Sequence, residues 1–316
     1  MKKLILVLSL LAVWGVCSAG VPDLVVEGRG GFGITGDGCG FSAEYLNLRV
    51  EGSINESWHY VFRHRLNKAV TNPQMIDATD CLYMMYTPGD WEFTAGKNVL
   101  AVGGYEYDAA PIDVLLYSEF CNNFGECYNY AVSAARNFNG AKLTFQFSRS
   151  PLGGTQNAIS SRFGYSLMLS GKCGDFYEYI HSVNFFELQT RGQFASYQVL
   201  GNKFNFSPVT LTLDLCHRFG CCRPEFFKDY SLMCSATVKA TDWMDVFALA
   251  TYDCNKSDSA TLVPCGTDIF KGGAGLAIYP VRDSRNVRIH CFYSHEYASA
   301  FNVGLTMKLH VLSLKK

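Results

Sequence analysis

The chain has 316 residues, 17% of them charged and 14% aromatic, with 27 Lys plus Arg against 28 Asp plus Glu. So even a balance excludes the concentrated basic patch of a nucleic-acid binder. Many aromatic residues beside so few charges fit a surface that meets lipid rather than an ordinary soluble domain.

The chain opens with Lys2 and Lys3, an apolar run from Leu4 to Trp14, and the small residues Ser18, Ala19 and Gly20. This is the pattern of an export signal. Cleavage is expected after Ala19, which makes residues 1–19 a signal peptide and 20–316 the mature protein. Loss of Lys2 and Lys3 takes the 27 basic residues to 25 against 28 acids, so the mature chain is mildly acidic. No later apolar run reaches the roughly 18 residues of a membrane-spanning helix.

Beyond the signal the chain settles into period-two alternation, the signature of strands. Leu143, Phe145 and Phe147 alternate with Lys142, Thr144, Gln146 and Ser148, and Phe163, Tyr165, Leu167 and Leu169 alternate with Arg162, Gly164, Ser166 and Ser170. Val303, Leu305, Met307, Leu309 and Val311 do the same against Asn302, Thr306, Lys308 and His310. Candidate strands lie at 24–35, 40–51, 57–69, 75–86, 91–101, 128–137, 141–149, 162–172, 175–188, 192–205, 208–217, 227–239, 242–253, 267–279, 286–295 and 301–312. Sixteen is an even number, and these strands are longer than the five or six residues usual in soluble sheets. They match the roughly 9 to 11 residues that cross a bilayer at a tilt.

The connections sort by parity. Short turns come after strands four, six, eight and twelve, whereas long loops come after strands five (Ala101 to Cys127), seven (Ser150 to Ser161) and thirteen (Cys254 to Gly266). Short turns on one side and long loops on the other are the habit of outer-membrane barrels. The expected fold is therefore an all-β, transmembrane antiparallel barrel of about sixteen strands.

The longest connection carries Gly103-Gly104-Tyr105-Glu106-Tyr107-Asp108-Ala109-Ala110-Pro111-Ile112-Asp113-Val114, then Tyr117-Ser118-Glu119-Phe120 and Asn122-Asn123. It resembles a segment of porins of the phosphate-selective porin O and P family. The resemblance implies a bacterial outer-membrane channel, in which the loop after strand five folds into the barrel and narrows it.

In such a pore, selectivity depends on the radius and the lining charges. Alternation turns Arg49, Arg63, Arg65, Lys142, Arg162, Lys172, Arg288 and Lys308 toward the lumen, while the long loop offers Glu106, Asp108, Asp113 and Glu119. An acidic loop facing a basic wall would set a transverse field across a narrow aqueous gap. Arg49, Arg63 and Arg65 fall on neighbouring strands and should repel unless acids or transiting anions intervene. The expectation is a passive channel for small hydrophilic solutes with a modest preference for anions, phosphate among them. It would sit in outer-membrane lipid as a homotrimer, with no cofactor and no nucleic acid. A ligand-binding barrel and a phospholipase-like enzyme are the alternatives, but no Ser and His share a strand face in a way that would support the latter.

Thirteen cysteines are many, although disulfide-dense scaffolds are usually smaller than this chain. There is no Cys-x-x-Cys pair. Cys121 with Cys127, and Cys254 with Cys265, could each close one loop. Gly28-Arg29-Gly30-Gly31-Phe32-Gly33 matches the dinucleotide-binding fingerprint in letters, but no helix opens at its third glycine, so it reads as strand glycine.

Overall fold

The computed structural model describes residues 22–71, 77–124, 127–153, 162–222, 224–258 and 261–312. The expected signal peptide lies outside them. Sixteen strands succeed one another: β1 (Asp23–Thr35), β2 (Gly38–Ser53), β3 (Trp58–Arg65), β4 (Thr79–Tyr86), β5 (Trp91–Val99), β6 (Tyr128–Phe138), β7 (Ala141–Arg149) and β8 (Phe163–Cys173). Then come β9 (Tyr177–Glu187), β10 (Phe194–Phe206), β11 (Val209–Gly220), β12 (Asp229–Thr241), β13 (Met244–Asn255), β14 (Asp268–Ile278), β15 (Val287–His295) and β16 (Ser299–Leu312). Each pairs antiparallel with its sequence neighbours, and β1 pairs with β16 from Leu24↔Leu312 to Thr35↔Ala300, so the sheet closes into a barrel.

The two faces of each strand invert the rule of soluble proteins. On β7 and β8, Leu143, Phe145, Phe163, Tyr165 and Leu167 are exposed, whereas Thr144, Gln146, Ser148 and Ser166 are buried. On β16, Phe301, Val303, Leu305 and Leu309 are exposed and Thr306 is buried. An apolar exterior with polar groups turned inward is stable where the surroundings are hydrocarbon, since closure leaves no strand edge unpaired.

Turn chemistry sets the short end. The β6–β7 hairpin turns on Asn139 and Gly140, both at positive φ (45° and 81°), as a tight hairpin requires. The other even connections from β2 to β13 are also short, at 54–57, 87–90, 174–176, 207–208 and 242–243. The longest odd ones are 66–78, 100–127, 150–162 and 256–267. Parity fails in three places: 36–37 and 296–298 are short although odd, and 279–286 is longer although even.

The expected third strand, 57–69, ends early. Pairing with β4 runs to His64↔Thr79, and the chain then winds into α1 (Leu66–Thr71). Leu66, Asn67, Lys68 and Ala69 include no β-branched or aromatic residue to hold a pleat. Asn67 instead donates to the Glu44 carbonyl at 3.0 Å.

Candidate functional site

The connection 100–127 leaves β5 through Gly103 and Gly104, at φ 85° and 84°, a conformation that side chains rarely adopt. It forms two short helices, α2 (Tyr105–Asp108) and α3 (Glu119–Asn123). Its partners are side chains that alternate with the exposed apolar rows, and they come from β1, β7, β9, β11 and β13 to β16.

On the β7 to β14 side the segment is deeply seated. Gln146 accepts the Ala101 N–H at 2.8 Å, Ser182 and Asn184 donate to the Val102 carbonyl, and Asp214 accepts the Glu106 N–H at 2.7 Å. Asp253 receives the Glu119 and Phe120 N–H groups at 2.9 and 3.4 Å, two donors that a helix start leaves without an intrahelical partner. Asp253 also accepts from Ser231, and Ser231 accepts from Arg218, whose guanidinium pairs with Asp229 at 2.6 Å. Arg218, Asp229, Ser231 and Asp253 are all fully buried. An apolar cluster of Leu100, Val102, Phe120, Phe124, Phe186, Tyr197, Val199, Met233 and Val263 closes around them.

Inside the segment, the Glu106 carboxylate accepts the Ser118 N–H and hydroxyl at 2.7 and 2.8 Å. Burial pushes its pKa up to about 7, against the lowering effect of those hydrogen bonds. Burial also raises Asp108. Lys271 pairs with Glu119 at 2.7 Å and donates to the Tyr117 carbonyl at 3.1 Å.

The tip of the segment is held differently. Asp113 pairs with Lys308 at 2.6 Å and stands 3.6 Å from Arg288, and its side chain keeps 35% exposure. Arg29 donates to the Ile112 and Val114 carbonyls at 3.0 and 2.5 Å and pairs with Glu44 at 2.5 Å.

On the opposite wall, the expected repulsion among three arginines is resolved by acids. Arg49 and Arg63 face each other across β2 and β3. Arg49 pairs with Glu51 at 2.5 Å, Arg63 lies 3.5 Å from Glu27, and Arg65 pairs with Asp80 at 2.7 Å. Around the short-turn end runs a ring of further pairs: Lys142 with Glu92, Lys172 and Lys203 both with Glu178, and Arg285 with Asp245. In each of these the cation is the more exposed partner. A cavity of about 1070 Å³ opens there, lined among others by Tyr105, Asp108, Lys142, Lys172, Glu178 and Lys203.

Arg162 immediately precedes β8, its carbonyl accepts the Ser150 N–H at 3.1 Å, and its guanidinium donates to the Gln189 carbonyl at 2.9 Å from a partly exposed position. Neither expected cysteine pairing forms, since Cys121, Cys127 and Cys254 carry free thiols. Cys265 donates to the Ser257 carbonyl at 2.9 Å, Cys254 lies in β13 opposite Tyr230 and Asp268, and the Cys121 N–H donates to the Ser118 hydroxyl at 3.1 Å. Alternation did not single out Arg29, Arg218, Lys271, Asp214 or Asp253. Their sequence signal was only the polar half of each period, shared with every other inward residue.

Comparison with known proteins agrees with this architecture. Residues 28–173, from within β1 to the end of β8, match the family model of phosphate-selective porin O and P. A search of curated protein sequences finds no match. Among solved structures, OmpT, an outer membrane protein of Vibrio cholerae, superimposes with a TM-score of 0.66 at 11% identity, covering 91% of this chain and 97% of that one. An anion-selective porin from Comamonas acidovorans gives 0.63 at 11% identity over 91% and 99%. OmpF of Salmonella typhi, in complex with daunomycin, gives 0.63 at 12% identity over 91% and 97%. At such identities the likeness is one of fold.

Proposed function

We propose that this barrel, whose first half matches the phosphate-selective porin O and P model, is an outer-membrane porin: a passive channel for small hydrophilic solutes, and not an enzyme. The observation that carries the reading is the inversion of faces around a closed ring. Exposed aromatic and aliphatic rows meet lipid, and the enclosed face carries the ion pairs. The long connection folds into the bore and narrows it, a reading supported by its contacts with strands from β7 round to β1.

The channel prefers anions modestly. Nearly every lining cation has an acid beside it, so the sign of selectivity rests on which partner a solute meets first. At the short-turn end that partner is the cation, and Glu178 is shared by two lysines. A carboxylate and phosphate alike would be drawn into such a ring. The assembly is a homotrimer, as the trimer form of Vibrio cholerae OmpT, a barrel of the same fold, suggests. Export by the N-terminal segment delivers the chain to the bacterial outer membrane.

Purified protein that shifts its gel mobility on heating should give stepwise conductance in a planar bilayer. Under a salt gradient its reversal potential should have the sign of an anion-preferring pore, and K142Q/K203Q should move that potential toward zero. Folded protein without conductance would overturn the channel; an unmoved potential would overturn the role of the ring.

A further inference from the structure

The tip of the long connection occupies a cationic seam that its own acid only partly neutralises. Arg29, Thr306 and Arg288 lie in one cross-strand row, Arg29 opposite Thr306 on β1 and β16, and Arg288 opposite Thr306 on β15 and β16. Lys308 stands two residues beyond Thr306 on the same face, since side chains of one face recur at every second position. Arg29 has Glu44 as a counter-ion at 2.5 Å. Glu27, opposite Lys308 in the ladder, is turned to Asn47 and Arg63. That leaves Arg288 and Lys308, two cations, to share the single carboxylate of Asp113. The Arg288 Nε is buried and without a hydrogen-bond partner, and the same guanidinium reaches the Ile112 carbonyl and the Thr306 hydroxyl only at 3.5 and 3.4 Å.

A planar guanidinium and an ammonium converging on one carboxylate make the geometry of an oxyanion site. Here the carboxylate belongs to the protein, it sits on a connection rather than on a strand, and about a third of it is exposed. We propose that the β1–β16–β15 seam is a binding site for a small carboxylate solute, occupied in this conformation by Asp113 as an internal surrogate. A solute carboxylate that enters displaces Asp113 from Lys308 and Arg288, and the segment's tip, freed from that pair, stays attached through the backbone carbonyls of Ile112 and Val114, chiefly to Arg29. No covalent step is involved. The site binds by exchanging one carboxylate for another at the same two cations. A partly exposed ion pair is only weakly held, so the surrogate can be displaced by a solute at ordinary concentration. The consequence for permeation rests on the channel reading; the binding site does not.

The test uses the folded full-length barrel in detergent, titrated calorimetrically with acetate and, separately, with inorganic phosphate. Removing the competing charge in D113N should tighten acetate binding by about threefold to fivefold, the range an exposed pair can supply. Adding K308Q to D113N should abolish the gain. The proposal is overturned if D113N binds acetate no more tightly than the wild type, or if D113N/K308Q keeps the gain. Phosphate gaining more than acetate would overturn the assignment to carboxylates. Heat-modifiable gel mobility of each variant confirms that the barrel is intact, and K308M takes the place of K308Q if the latter does not fold. A barrel that shows these binding changes but never conducts would remove the porin reading and leave the site standing.

Discussion

The long connection is gripped at two places that differ in kind. At its seat, on β7 to β14, the contacts are buried: Arg218, Asp229, Ser231 and Asp253 have no exposure, and aromatic side chains close over them. At its tip, on β1, β15 and β16, the contacts are a partly exposed ion pair and two backbone carbonyls. Both use charged groups at similar distances, 2.6 Å for Arg218 to Asp229 and 2.6 Å for Lys308 to Asp113. Burial, not distance, separates them. A charge left alone in a dry interior is costly, whereas water screens one left alone where solvent reaches it.

That contrast is sharpest when one cation is taken from each place. Arg218→Met strands the Asp229 carboxylate among fully buried groups, and a loss of about 3–5 kcal/mol is expected. It should show as a lower temperature for the mobility shift on heating and for loss of the β-sheet circular dichroism signal. A variant as stable as the wild type would mean that the seat is not held by this network.

Between the two extremes lies Glu106, which is part of the seat but titrates. The folded protein keeps its proton up to about 7. The unfolded chain releases it near 4.5. Stability should therefore be greatest below the lower value, fall as the pH rises between the two, and run flat above. The loss is on the order of 3 kcal/mol. Thermal melts of wild type and Glu106→Gln from pH 4 to 8 check this, since the variant's curve should lack that slope. A slope equal in both would assign it elsewhere.

The smallest effect is expected at the tip. Lys308→Gln removes one partner of an exposed pair and should cost less than about 1 kcal/mol in the same melts. If it destabilised the barrel as much as Arg218→Met, the distinction between seat and tip would fail.

The strands were legible in the sequence because each carries its own period-two record of which side meets lipid. The alternation of Leu143, Phe145 and Phe147 needs no distant partner to be read. α1 was missed because Leu66 to Ala69 still looks like the tail of an amphipathic strand until the loss of β4 as a partner ends the pairing. For the site, Asp113, Glu119, Arg288 and Lys308 were singled out from strand alternation and the long connection, but their pairing with one another was not. Lys308 lies 195 residues from Asp113, and the hydrogen bond between Asp253 and Glu119 spans 134. No local pattern encodes contacts across a closed ring. Arg29 was hidden by a stretch of glycines, and Asp214 and Asp253 read as ordinary polar positions although they take up backbone donors of the long connection.

The seam where β1 meets β16 also bears on how the molecule can fail. An open sheet has outer strands that peel away one at a time, but here the first and last strands hold one another along their length, from Leu24↔Leu312 to Thr35↔Ala300. Unzipping that seam in hydrocarbon would leave a row of amides with nothing to bind, at several kcal/mol each. The barrel thus has no weakest flank from which to fray: it persists as a complete hoop, or it comes apart as a whole.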